Sequence, residues 1–261
     1  MIALGISTSS GVAKVAAVQQ AEANAAQHSL QGFAFNTCFE FSIEDYKAQS
    51  VELLPRLSQA LAGHGLALGD LTVLAVDIGP GGFTSLRTAC GVVQGLAVAL
   101  GKPTVPVTSF ECMAVQARLD GVRRAEASQL PCVLDARLGE LYVGVVDLQA
   151  HGVSLKGSAA LCAWVDLNAW VDRQAYQTSP LALCDAAVAK GLTEHEGEHP
   201  GVLPAWVVQT AGPSALAAAA LGGLRWQLKQ TSEPLACQPL YVRDKVAQTT
   251  AERQAVKHGP V

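Results

Sequence analysis

Charge is scarce in this chain. Asp, Glu, Lys and Arg make up 15% of its 261 residues, and the formal net charge is −4. So few cations cannot build a dominant basic surface, which argues against a stand-alone nucleic-acid binder. A leader is lacking as well. The N-terminus, MIALGISTSSG, has no basic segment, and its apolar run is too short for a signal peptide. The longest uncharged alanine-rich run, Thr210 to Leu224, carries Gly212-Pro213 near its start and has too little continuous apolar length for a membrane span. These absences describe a cytoplasmic chain with no membrane segment. There is also no C-x-x-C. The seven cysteines (38, 90, 112, 132, 162, 184 and 237) are odd in number, widely spaced and mostly set in apolar runs such as LPCVLD. They read as small buried hydrophobes, not as disulfides or metal ligands.

What is present is apolar. Half the residues are hydrophobic, ample for a well-buried core in one domain or two. Residues 2–6 read as a buried strand, 12–18 as its hairpin partner and 32–41 as a third strand. From Ser50 to Ala62, Val51, Leu54, Leu57 and Leu61 recur at helical spacing, with Pro55 either kinking that helix or marking its first turn. Residues 71–77 form a fourth strand, and a helix follows over about 84–100. The second half partly echoes this order. Residues 131–148 read as strand, turn, strand; 165–174 as a helix capped by Asp166; 180–184 as a strand; and 213–228 as an alanine-rich helix with Pro213 in its first turn. The charged, Gly- and Pro-rich stretch 191–204 reads as a loop. Two related α/β halves follow, joined near 101–109.

DIGPGGFTSLR, Asp77 to Arg87, is a glycine-rich turn between a strand and a helix, a geometry that often holds phosphate. It lacks the lysine of a Walker loop, since the first lysine after Gly79 is Lys102, and the third glycine of a dinucleotide fingerprint. Simple chain reversal and a functional turn both fit its spacing. The helix behind it has small residues on several faces: Ala89, Cys90, Gly91, Gly95, Ala97 and Ala99. Such a helix suits packing on both sides, one side on its own sheet and the other on a second helix or a second chain.

HEGEH, His195 to His199, spells the H-E-x-x-H of zinc peptidases. That chemistry needs both histidines on one face of a helix. A central glycine and a following proline favour a solvated loop instead. There is no G-x-S-x-G, and Ser7, Ser9 and Ser10 crowd one turn with no identifiable base.

Four segments together resemble one family. Residues 77–114 are similar to the G-P-G-S-F-T-G-L-R turn, small-residue helix and S-[FL]-E of bacterial TsaB, also called YeaZ. Residues 133–147 resemble its I-D-A-R-x-G-E segment, 239–253 its terminal P-x-Y-L-R, and 49–61 its first helix. The resemblance runs in order over nearly the whole chain and is weakest between about 150 and 212. It implies an α/β, actin/hexokinase-like fold of two ribonuclease-H-like halves with mixed sheets flanked by helices. The expected division is 1–106 and 107–261, with one late helix packing back on the first half.

The function implied is a non-catalytic subunit of the complex that adds threonylcarbamoyl to the adenosine next to the anticodon of tRNA, a scaffold and activator of TsaD. Implied partners are TsaD, the ATPase TsaE and a second copy, with tRNA reached only through the complex. No cofactor is held tightly, and nucleotide is expected only at the partner interface. The interface set is Val51, Leu54, Leu57, Leu61, Arg87, Gly91, Gly95 and Ala99. Ser7, Thr8, Ser9, Gly79, Gly81, Gly82 and Thr84 are expected to be relics of an ancestral phosphate loop. Ser7 stands where actin-like ATPases keep an aspartate, and a neutral hydroxyl neither holds Mg²⁺ firmly nor acts as a strong base. Gln49 stands where the family usually has histidine, and Gly82 and Ser85 also depart from its pattern. The alternatives are an M22-type metallopeptidase, an ATPase in its own right, or a free dimeric interaction protein.

Overall fold

The structure, a computed structural model, describes residues 1–122, 128–149, 152–175, 182–195, 207–209 and 212–243. Its first half opens with β1 (Ile2–Ser7), β2 (Ala13–Gln20), a short β3 (His28–Leu30) and β4 (Phe33–Ile43). Next come α1 (Gln49–Gly63), β5 (Val73–Asp77), α2 (Phe83–Leu100), β6 (Thr104–Val107) and α3 (Ser109–Leu119). The second half has β7 (Gln129–Arg137), β8 (Glu140–Gln149), β9 (Gly152–Ala163), α4 (Leu167–Ala175), β10 (Ala182–Cys184), α5 (Ala186–His195), β11 (Val207–Gln209) and α6 (Ala215–Gln227).

The two halves repeat one plan. The sheet orders are β3-β4-β2-β1-β5-β6 and β11-β10-β7-β8-β9. In each, three strands form an antiparallel meander, and two later strands join in parallel beside the first; the first sheet adds the short β3, antiparallel to β4. Each half then ends in a third helix. This is the ribonuclease-H-like arrangement twice over, the actin/hexokinase-like fold.

Strand parity builds the core. In β1, Ile2, Leu4 and Ile6 face α1 and α2, where they meet Leu53, Leu57, Leu61, Ala89, Cys90, Val93 and Ala97. Ala3 faces the opposite side, toward α6. That side is lined with small residues because a helix backbone lies almost on the sheet. A Cβ on Gly5 would come within 2.2 Å of the Ala215 carbonyl oxygen and 2.4 Å of the Ala219 nitrogen. So α6, which follows the second sheet in the chain, lies on β1, β2 and β5 of the first. Between the sheets α3 packs on α6, and Leu130, Cys132 and Leu134 of β7 complete this shared core.

The helix pair is tied by charge. Thr108 caps α3 reciprocally with Glu111: its Oγ1 accepts from the Glu111 N–H at 3.2 Å, and Glu111 Oε2 accepts from the Thr108 N–H at 2.6 Å. The other oxygen of Glu111 takes Arg225 of α6 at 2.5 Å. Arg225 also donates to the carbonyls of Pro106 and Val153.

Several expectations need correction. The presumed join at 101–109 holds β6, the edge strand of the first sheet, where Pro106 costs no ladder bond. β6 ends at Val107, one residue past the expected division. Both α3 and the long β9 went unread. Pro55 lies inside α1. Asp166 ends a single 3-10 turn, Trp164–Asp166, that runs into α4. The cap of α6 is Ser214, whose Oγ accepts from the Ala217 N–H at 3.0 Å, and Pro213 precedes the helix. Of the expected loop 191–204, residues 191–195 are helical in α5, and the rest lies outside the described residues.

Candidate functional site

Three places invite function: the turn after β5, the outer face of α1 and α2, and the cleft between the halves. The turn is organised by Asp77, which is fully buried at the end of β5. Its Oδ2 accepts from Ser7 Oγ at 2.8 Å and Ser9 Oγ at 2.6 Å. Its Oδ1 accepts from Ser109 Oγ at 2.7 Å and the Gly79 N–H at 2.9 Å. Burial pushes the carboxyl above its ordinary value, while these four donors pull it back.

The three hydroxyls that the turn after β1 would offer to a phosphate are already engaged. The Ser7 and Ser9 hydroxyls point at Asp77. Thr8 Oγ1 donates to the Ser85 carbonyl at 2.9 Å. The Gly82 N–H donates to the Ser9 carbonyl at 3.2 Å. The turn lies so close to Ser9 that a Cβ on Gly81 would stand 2.6 Å from its Cβ. Gly79, at φ +108°, and Gly81 are therefore needed for shape, and the turn fills the space beside Ser9. Thr84 is exposed on the first turn of α2. Gln49, in the family's histidine position, is buried and donates to the carbonyls of Gly11 and Ile43 at 2.7 and 3.3 Å. A neutral imidazole carries one N–H and could serve only one of the two.

The outer face divides the expected interface set. Val51 is 72% exposed and Leu54 44%, whereas Leu57 and Leu61 are buried against the protein's own sheet. Those two are core residues, because i and i+4 positions on this helix turn inward at 53, 57 and 61. On α2, Gly91, Gly95 and Ala99 point outward, and a Cβ on either glycine would meet nothing within 4 Å. Val98, absent from the expected set, is 70% exposed beside them. Arg87 is exposed but engaged: its guanidinium lies 3.9 Å from the Phe83 ring centre, and its Nε donates to Tyr241 Oη at 2.7 Å. By length and composition, α2 alone among the described residues could cross a membrane. Its buried side, however, is a layer of the core.

The cleft between the halves encloses about 660 Å³. Ser9, Ser10 and Gly81 line it from one side, and Asp135, Arg137 and Asp185 from the other. Asp185 caps α5, its Oδ1 accepting from the Val188 N–H at 2.8 Å, so the start of that helix is also occupied. Burial raises the Asp185 carboxyl, and Asp135 beside it acts in the same direction. Among the described residues no group of three or more His, Cys, Asp or Glu could hold a metal. His195 ends α5, and residues 196–199 of the H-E-x-x-H match lie outside the described residues.

Comparison with known proteins adds likeness to this geometry. The Pseudomonas aeruginosa YeaZ structure superposes with a TM-score of 0.64 at 25% identity, covering 92% of this chain and 99% of that one. TsaB of Haemophilus influenzae is 32% identical over 100 residues, and that of Escherichia coli 33% over 101. By sequence and by fold, this chain is similar to TsaB, or YeaZ. The TsaB alignments take in 38–39% of this chain and 41–42% of those proteins, so they span about two fifths of the curated relatives. A family model described as TsaD, tRNA N6-adenosine threonylcarbamoyltransferase, matches residues 45–163. That stretch of the TsaB-like chain runs from just before α1 through β9. It holds both outer helices, Asp77 and its turn.

Proposed function

We propose that this chain is the TsaB-type subunit of the machinery that makes threonylcarbamoyladenosine in tRNA. It serves as a non-catalytic scaffold and activator of a TsaD-type transferase in the cytoplasm. One observation carries the reading: the hydroxyls of Ser7, Thr8 and Ser9 are spent on internal acceptors, while an open strip on α2 is left without intramolecular cover. The named TsaB relatives and the TsaD-type family match support it. The partner surface is Val51, Leu54, Gly91, Gly95, Val98 and Ala99. It serves a second copy of the chain or the transferase, with TsaE joining the assembled pair. Nucleotide enters at that joint surface, and no cofactor is held by the chain alone.

Reconstitution tests this. The organism's own TsaD-type protein, TsaE and the threonylcarbamoyl donor system are assayed on unmodified tRNA with and without this chain. Modification should require the chain, and the chain should co-purify with the transferase. Full modification without it overturns the proposal. So does ATP hydrolysis or peptide cleavage by the pure chain that is lost on changing its own residues.

A further inference from the structure

After α6 the chain returns across the molecule as a strap, residues 229–243. Ser232 bridges Thr104 at the edge of the first sheet through two backbone bonds, 2.8 and 2.9 Å. Cys237 is buried against α2, and its carbonyl accepts from Gln94 Nε2 at 2.9 Å. The Leu240 N–H donates to the Ile78 carbonyl at 2.7 Å, at the start of the glycine turn. Tyr241 stacks on Phe83, with ring centres 5.0 Å apart, and its hydroxyl accepts from Arg87.

Two residues later the strap reaches the other half. Arg243 Nη2 pairs with Glu140 Oε2 at 2.5 Å and approaches the carbonyls of Ala136 and Arg137 at 3.3 and 3.4 Å. All three acceptors belong to the β7–β8 hairpin. Leu240, Tyr241, Val242 and Arg243 all line the cleft. Four consecutive residues thus join the first half's turn, the first turn of α2 and the second half's hairpin across one opening. The far end is the weaker. Glu140 keeps 42% of its side-chain surface exposed, and Arg243 Nε is buried with no acceptor.

We propose that the strap is a latch that sets the opening of the cleft and transmits it to the start of α2. Its releasable end is the Arg243–Glu140 pair, and its anchor is the Phe83–Arg87–Tyr241 stack. Coupling of this kind works in both directions, so loosening either end is felt at the other.

Hydrogen exchange on the full-length protein tests the latch. Glu140→Gln removes the charge from a half-exposed side chain and leaves the core untouched. Exchange should rise about two- to fivefold at Leu240 and over residues 83–87, as well as at 137–140, with α6 unchanged. Tyr241→Ala, at the opposite end, should raise exchange at 137–140. The proposal is overturned if either variant acts only at its own end. A uniform rise that includes α6 also overturns it, since that marks general loss of stability.

Discussion

Asp77 gathers three hydroxyls and one backbone N–H from segments far apart in the chain. A buried donor left without its acceptor costs about 1–3 kcal/mol. Asp77→Ala orphans the donors of Ser7, Ser9 and Gly79, while Ser109 keeps the Pro80 carbonyl at 2.9 Å, so it should destabilise the protein by roughly 3 kcal/mol or more, read as a fall in denaturation midpoint. A melting temperature near wild type would show the cluster to be incidental. The carboxylate also has a pH signature. Burial raises its pKa in the fold, so the folded chain holds that proton more tightly than the unfolded chain. The destabilising effect of its charge is present above the raised value and disappears as pH falls toward 3.8, the unperturbed value. Asp185, also raised, acts in the same sense. Asp77→Asn has no such proton to gain. Lowering the pH from neutral toward 3.8 should therefore shift the difference in melting temperature toward the wild type. A difference that stays constant with pH would contradict the assignment.

At the scale of elements, which helix is covered depends on the sheet beneath it. Small residues on several faces mark both α2 and α6; within the chain α6 is covered by the first sheet and α3, whereas α2 is covered by its own sheet on one side. Sequence periodicity found both helices and could not say which would be covered, because the cover is set by strand parity elsewhere. Gly5, Ala3 and Ala75 leave room for α6, whose own run of apolar small residues, Ala215 to Leu224, is buried throughout. Leu57 and Leu61 were misread for a related reason: the apolar stripe of α1 is wider than its buried edge, and only the sheet beneath decides which residues turn inward. Asp77 is the one acid in an apolar strand, yet its partner Ser109 lies 32 residues away and Gln49's partner Gly11 lies 38 away. No local pattern links such pairs.

Three substitutions separate these roles. Gly5→Ala pushes a methyl group into the α6 backbone and should cost about 1–3 kcal/mol or more. Leu57→Ala should cost about 2–5 kcal/mol with no direct effect on partners. Gly95→Leu points into open space, so it should leave melting unchanged while abolishing the dimer and transferase binding in size-exclusion runs. If Gly95→Leu unfolds the chain, or leaves both associations intact, the outer face of α2 is not the partner surface.

For the whole molecule, charge and shape jointly limit what the isolated chain can do with tRNA. The repeat of two halves preserves a cleft, but the loops around it have turned inward: Ser7 and Ser9 toward Asp77, Gly82 toward Ser9, Asp185 onto its own helix. Lys14, one of the few lysines, is partly buried and donates to the Pro213 carbonyl at 3.1 Å, so it is not available to a phosphate backbone. Nucleic-acid affinity grows with the number of phosphates neutralised, and each contact steepens the loss with salt. A chain with net charge −4 has few such contacts to offer. In an anisotropy titration the isolated protein should bind tRNA only weakly, and raising salt from about 50 to 200 mM should remove what binding there is. Adding the TsaD-type transferase should restore binding that survives the higher salt, because the phosphate contacts would come from the partner. Tight, salt-resistant binding by the chain alone would locate a nucleic-acid surface on this protein and reverse the division of labour proposed for the pair.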